Sequence, residues 1–298
     1  MSLDARQCEA FLAAVDMGSF DQAAAHLNLT PSAVSQRIAA LETALGSPLL
    51  VRSRPCRPTG PGRRLLQYLR RARLLEQDFI AEFGEADQLS QVAIAVNNDT
   101  LETWLLPAIG GFLAEENLGV EIILDDQNYT YELLENGSAV AGVSTQSKAM
   151  RGCAIEFLGS MRYRMLASPE FAKKWFASGF TREAARKAPV AIFNRKDLLQ
   201  TDFIRERLGL LPGSYPVHYV PASGPFMSAI EKGIAYGMLP EQQYGRHLET
   251  GILVDLAPGH YFDVPLYWHA WRVQPPKLER LGERIVNAAR AALTQPGE

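Results

Sequence analysis

Thr30, Pro31, Ser32, Ser35, Gln36 and Arg37 put hydroxyls, an amide and a guanidinium within two turns of one another. Near the start of a helix, such groups can bond phosphate oxygens and the donor and acceptor edges of base pairs in a major groove. Arg52, Arg54 and Arg57 recur along the next short segment and would line one side of it if it is extended, where they can follow a phosphate backbone or enter a minor groove. Two solvated helices followed by a proline-stiffened loop are the competing reading of the same residues.

A second group of polar residues sits where apolar runs end. Asn98, Asp99 and Thr100 follow Val92–Val96, Asp126 follows Val120–Leu124, and Ser144 and Thr145 follow Val140–Val143. In open α/β sheets, ligands bind beyond the carboxyl ends of strands, so these clusters are candidates for a small-molecule site. Hydroxyls and the free N–H groups of a helix start suit a carboxylate, and the acids suit an ammonium or a cationic side chain. Each residue alone also reads as a cap or a turn former.

The elements that must position these groups are legible around them. Ser19 sits as an N-cap ahead of Asp21 and Gln22, which favour a helix start, and Ala23, Ala24 and Leu27 form a stripe that admits a neighbouring helix. Thr30-Pro31 restarts the chain with a capping hydroxyl and a proline at a position that loses no hydrogen bond. Val34, Ile38, Leu41 and Leu45 then recur at helical spacing up to Gly46. Two short helices and a tight turn result, followed by a proline-rich wing. From Pro61 to Asp87 a long helix is expected, with Leu65, Leu66, Leu69, Leu74, Leu75, Phe79, Ile80 and Phe83 on an apolar stripe. So wide a stripe predicts packing against its equivalent in a second chain, which would supply two half-site readers.

Charge is distributed unevenly. Nine arginines and one acid, Glu42, lie between Pro31 and Arg73, whereas Leu74–Glu298 carries 20 basic and 28 acidic residues. A basic end on an acidic body fits a protein that meets phosphate at one place only.

The remaining chain alternates strands and helices, which predicts a mostly parallel α/β sheet. A helix interrupted near Pro107 spans Leu101–Leu113, and Arg164–Ala167, Val190–Phe193 and Val217–Val220 are strands of a second lobe. The chain returns through Tyr267–Val273 and closes with a helix over Pro276–Leu293.

Taken together, the helix pair with AAAHLNLTPSAVSQRIAALETALG, the wing with LLVRSRP, TGPG, the long helix and the body resemble the LysR-type transcriptional regulators over essentially the whole length. FDQAAAHLNLTPSAVSQRI, VRSRPCRPT and FNRKDLLQ are similar to a branch whose members control export of basic amino acids and sense lysine or arginine. The resemblance implies a winged helix-turn-helix at 1–60, a linker and dimerisation helix at 61–88, and a two-lobed effector domain of periplasmic-binding-protein type at 89–298. Its first lobe would comprise 89–162 and 266–298, its second 163–265. Asp197 and Ser223 are added to the effector candidates by this resemblance, although Arg195 and Lys196 beside Asp197 leave an anionic partner open. Promoter DNA, a small-molecule effector, RNA polymerase and a second chain, as dimer or tetramer, are the implied partners, with no cofactor.

No apolar run approaches the roughly 20 residues of a membrane helix and no signal segment opens the chain, so a cytoplasmic protein is expected. Cys8, Cys56 and Cys153 lack metal or disulfide spacing. G-x-S-x-G, the P-loop, the dinucleotide fingerprint and H-E-x-x-H are absent, which argues against an enzyme. A regulator of a small organic acid is one alternative, and an amino-acid-binding protein or enzyme without DNA function is the second. The second leaves the basic end unexplained.

Overall fold

The computed structural model describes residues 3–81, 90–116, 118–124, 133–134, 137–150 and 152–297. At the N-terminus, α1 (Ala5–Asp16), α2 (Phe20–His26) and α3 (Pro31–Leu45) pack through Ala10, Phe11, Ala14, Ala23, Ala24, Val34, Ile38 and Leu41. Each helix starts on a side-chain cap: Asp4 accepts from the Gln7 N–H, Ser19 from Gln22 and Thr30 from Ala33. The third helix stops at Gly46 in the left-handed conformation. Glu42, the sole acid of the arginine-rich stretch, turns inward, where its carboxylate accepts from the Leu49 and Leu50 N–H groups at 2.7 and 3.3 Å. It ties α3 to the wing, an antiparallel pair of β1 (Leu50–Val51) and β2 (Arg57–Pro58).

The linker helix α4 (Gly60–Ala81) begins at Thr59, whose hydroxyl accepts from the Gly62 N–H at 3.1 Å and donates to the Pro48 carbonyl at 2.7 Å. A Cβ on Gly62 would lie 2.0 Å from the Leu49 carbonyl oxygen, so only glycine lets the helix approach the wing this closely. The apolar stripe of α4 divides. Leu65, Leu66 and Leu69 pack into the helix-turn-helix core and Leu74 against the effector-domain core, leaving Tyr68, Leu75, Phe79 and Ile80 exposed. The expectation that the whole stripe faces a second chain is thereby corrected. A single helix surrounded by its own chain satisfies one side locally, and only the outward side is left for a partner. Phe83 and the expected end of this helix lie outside the described residues.

The effector domain runs β3 (Ser90–Val96), α5 (Asn98–Thr100), a π turn at Leu101–Leu105, α6 (Leu106–Glu115), β4 (Leu118–Leu124), β5 (Ala141–Ser144) and β6 (Cys153–Ala167). It continues through α7 (Pro169–Trp175), α8 (Arg182–Ala185), β7 (Val190–Ile192), α9 (Leu199–Leu208), β8 (Val217–Tyr219) and α10 (Ser223–Glu231). The chain closes with β9 (Gly237–Pro240), α11 (Glu241–Glu249), β10 (Val254–Asp255), β11 (Phe262–Trp271) and α12 (Pro276–Ala292). The interruption expected near Pro107 takes the form of the π turn just before it. Proline lacks the N–H and crowds the preceding turn, and a wider turn relieves both.

Seven strands form one sheet in the order β10-β6-β11-β5-β3-β4, with β9 also on β6. Only β3–β4 and β3–β5 are parallel among its pairings, so the mostly parallel sheet expected from sequence is corrected to a mixed one. The reason is β6, which is 15 residues long where only its last four read as a strand, because Glu156, Gly159 and Arg162 interrupt the apolar pattern before them. It pairs antiparallel with β11 along nearly all of that strand. Residues 153–157 of β6 pair in the first lobe with β11, which carries β5 on its other side, while residues 163–167 pair with β9 and β10 in the second. The two strands are the crossovers between lobes. Their register shifts at Leu266/Tyr267, opposite Gly159, which sits at φ 128° with Leu293 and Gln295 against it. The second lobe adds the small parallel pair β7–β8.

The linker also docks on the first lobe. Gln67 donates to the Leu134 carbonyl at 3.3 Å, Arg70 to the Gly137 carbonyl and to Asp16 at 2.6 Å, and the Arg71 guanidinium lies 4.5 Å over the Trp271 ring.

Candidate functional site

Two surfaces bring the polar candidates together. In the first, Thr30, Pro31, Ser32 and Gln36 are exposed at the start of α3, and Ser35 and Arg37 are half-buried beside them. Thr30 commits one acceptor lone pair to the helix cap, and its hydroxyl keeps the O–H donor and a second lone pair for an outside group. Arg52 and Arg54 extend from the wing tip, Arg52 with its guanidinium 5.6 Å from the Phe20 ring and Arg54 3.9 Å from Asp21 with its side chain 94% exposed. Ion pairs so exposed hold little, and Arg54 can exchange Asp21 for a phosphate. A groove between α2, α3 and the wing is lined by Phe20, Pro31, Ser35, Arg52 and Arg54, which unites the helix candidates with the wing arginines. The Cys56 N–H donates to the Gly18 carbonyl at 2.8 Å and anchors the wing to the α1–α2 turn.

The second surface is a cleft between the lobes. Asn97, Asn98 and Asp99 enter it from the end of β3 and the start of α5; Phe193, Asp197, Leu199, Gln200, Ser223 and Phe226 enter from the second lobe. Tyr163 of the crossover strand, Met238–Pro240 of β9 and Gln243 of α11 complete the wall. Asp99 is its centre. One carboxylate oxygen accepts from the Tyr163 hydroxyl at 2.8 Å and the other from the Ser223 hydroxyl, so a single acid joins both lobes and the crossover. Among the described residues lining the cleft there are two carboxylates and no lysine, arginine or histidine. Burial elsewhere in the second lobe raises the Tyr244 phenol to about 12, which keeps it a neutral neighbour of Gln243.

The effector candidates are only partly united. Asn98, Asp99, Asp197 and Ser223 line the cleft, whereas Thr100, Ser144 and Thr145 are not among its lining residues. Thr100 is fully buried, its N–H accepted by the Asn97 side chain at 3.2 Å, so this helix start does not offer that donor to a ligand. Ser144 is fully buried and its hydroxyl accepts from the Gln146 N–H at 3.2 Å. Side chains alternate along a strand and wind around a helix, so neighbours in sequence at a strand end point to different places. Asp126 lies outside the described residues. Arg195 stands with its guanidinium 5.0 Å from the Tyr219 ring and, like Lys196, is absent from the cleft lining.

Sequence reasoning missed Asn97, Tyr163, Gln200, Phe226 and Gln243. One signal was present: FNRKDLLQ, noted only as a resemblance, supplies Phe193, Asp197, Leu199 and Gln200 from a single turn.

Comparison with known proteins finds family matches at both ends of the chain. Residues 5–63 match the family described as bacterial regulatory helix-turn-helix protein, lysR family, and residues 85–290 match the LysR substrate binding domain. The HTH-type transcriptional regulator ArgP of Aeromonas salmonicida is 37% identical over 298 residues, covering 99% of each chain. Its counterpart in Photobacterium profundum is 38% identical over 296 residues, covering 98% of this chain and 99% of that one. The crystal structure of ArgP from Mycobacterium tuberculosis superposes with a TM-score of 0.87 at 36% identity, covering 99% of this chain and all (100%) of the other. Full-length LysG from Corynebacterium glutamicum with bound effector Arg superposes with a TM-score of 0.80 at 31% identity, covering 98% and 100%. With a helix-turn-helix and wing at one end, a two-lobed cleft at the other and these matches along both, the chain belongs to the LysR family of bacterial DNA-binding transcriptional regulators.

Proposed function

We propose that this regulator responds to a basic amino acid, lysine or arginine, bound between the lobes, and that it controls an amino-acid exporter or a related metabolic gene. The observation that carries this reading is the charge of the cleft: Asp99 and Asp197 line it, and no cationic side chain does so among the described residues. A small organic acid would meet two carboxylates there and gain no counter-charge, whereas a net-cationic amino acid is attracted by both. The arginine bound to LysG, at 31% identity over nearly the whole chain, supports the same class.

The α-carbon substituents of an amino acid match the pair at the middle of the cleft. Ser223 opens α10 behind Ala222, which provides no side-chain cap, so its hydroxyl and the neighbouring backbone N–H groups suit a carboxylate. Asp99 is adjacent to Ser223 and suits the α-ammonium. A ligand seated there replaces the direct Ser223–Asp99 hydrogen bond by bonds of its own to each lobe. It shifts the lobe arrangement only by as much as its affinity for the two arrangements differs.

On the DNA side, Ser32, Ser35, Gln36 and Arg37 would read and position promoter DNA together with Arg52 and Arg54 of the wing. The exposed side of α4 would join two chains, and pairs of dimers would span successive turns of one DNA face and meet RNA polymerase in the cytoplasm. Isothermal calorimetry with lysine and arginine, alongside mobility shifts on promoter fragments, tests the whole reading. Heat with either amino acid and salt-dependent, sequence-selective retardation are expected; heat only with an organic acid would overturn the effector class and leave the regulator.

A further inference from the structure

Gln200 is 2% exposed, lines the cleft, and its Oε1 has no hydrogen-bond partner among the described residues. A buried amide oxygen without a donor is costly, and nearly all such groups in native proteins are paired. Gln243, which also lines the cleft, presents a second buried Oε1 without a partner among the described residues. Both oxygens accept and neither donates, so the group that satisfies them must bring N–H or O–H donors.

The loop carrying Gln200 is built to hold it there. Asp197 places one carboxylate oxygen on the Leu199 N–H at 2.9 Å and the other on the Phe193 N–H at 3.3 Å, while the Asn194 side chain accepts from the Lys196 and Asp197 N–H groups at 2.7 and 3.1 Å. This closed turn delivers Gln200 at the second position of α9. The FNRKDLLQ run thereby acquires a physical meaning as a device for aiming one amide oxygen.

Asp99 and Ser223 touch, and therefore match the ammonium and carboxylate that an amino acid carries on one carbon. The far end of the ligand must find acceptors elsewhere, and two buried amide oxygens of the cleft have no partner among the described residues, with Phe193, Phe226 and Leu239 as apolar wall for an aliphatic stem. Resting on the basic amino-acid reading above, we propose that Gln200 is a specificity-determining residue whose Oε1 accepts an N–H of the effector's cationic side chain, and that Asp197 is the positioning residue that aims it.

The test compares lysine with norleucine, which keeps the α-carbon and the stem but lacks the terminal ammonium, by calorimetry on the full-length protein and its variants. Gln200→Leu is expected to weaken lysine or arginine binding by about 10- to 100-fold while leaving norleucine unchanged. Equal loss for lysine and norleucine, or no loss for either, overturns the assignment. Gln200→Glu keeps the size and the acceptor and is expected to bind lysine at least as tightly as the wild type. Should Gln200→Leu melt early, loss of lysine binding by a folded Gln200→Glu overturns the assignment instead. Asp197→Asn is expected to reproduce the Gln200→Leu selectivity in milder form. A wild-type protein that binds neither lysine nor arginine removes the basic amino-acid reading and this assignment with it, whereas wild-type binding with an indifferent Gln200→Leu removes this assignment alone.

Discussion

Asp99 of the first lobe and Ser223 of the second meet directly across the cleft, 124 residues apart in sequence, and the Tyr163 hydroxyl holds the same carboxylate from the crossover strand at 2.8 Å. Three elements, one from each lobe and one that crosses between them, are thus tied by one acid.

Asp99→Asn therefore removes the charge that attracts an ammonium and one acceptor of the tie. It is expected to weaken lysine and arginine binding by about 10- to 100-fold, read by calorimetry, since charge-assisted hydrogen bonds contribute about 1.5–3 kcal/mol. Promoter binding without effector should survive, because the helix-turn-helix core is separate from the cleft.

Arg37→Ala and Arg52→Ala act at the other end. Each is expected to lower promoter affinity while leaving the effector heat intact. If Arg52 meets a phosphate, the slope of log affinity against log salt should fall by about 1 in that variant. A base contact by Arg37 would instead relax selectivity at one position of the site, with a loss of about 1–3 kcal/mol.

Gly159 sits where β6 and β11 shift register, at φ 128°, and a Cβ there would lie 2.8 Å from the Leu293 Cβ. Gly159→Ala combines a conformation costing about 1–3 kcal/mol with a contact against α12's end, and a lower Tm in thermal melting is the expected outcome. A melting curve unchanged from wild type would mean that the crossover strands absorb the shift freely.

Burial lowers the pKa of His269 from its ordinary 6.5, against the smaller opposing effect of its hydrogen bond to the Gln146 carbonyl. The folded protein keeps this ring neutral where the unfolded chain protonates it. Its contribution is fully present above pH about 6.5 and declines as pH falls from there through the lower folded value. Denaturant titrations just below that pH should show stability decreasing with acidity, and His269→Gln should flatten that part of the profile.

The helix-turn-helix was legible because its determinants are local. Ser19, Thr30 and Gly46 act on N–H and C=O groups within four residues of themselves, and a proline at position 31 restricts its own φ whatever surrounds it. The long strand β6 was not legible, since a strand that crosses between lobes changes its neighbours midway and its burial follows those neighbours. Thr100 and Ser144 read as ligand contacts because they stand at strand ends, but which way a side chain turns there depends on the packing of the helix or sheet around it.

From its residues alone the chain determined its basic, capped, proline-punctuated DNA-reading end, its alternation of strands and helices, and the place of Asp99 at a strand end, because caps, turns and apolar periods act over a few residues. Tertiary structure decided that Tyr163 and Ser223 share Asp99, that the Asp197 carboxylate holds the Phe193 and Leu199 N–H groups, that Arg195 stays outside the cleft, and that half of the linker's stripe belongs to its own chain. Those outcomes depend on which surfaces meet after chain segments separated by many tens of residues have packed, and no local pattern carries that information.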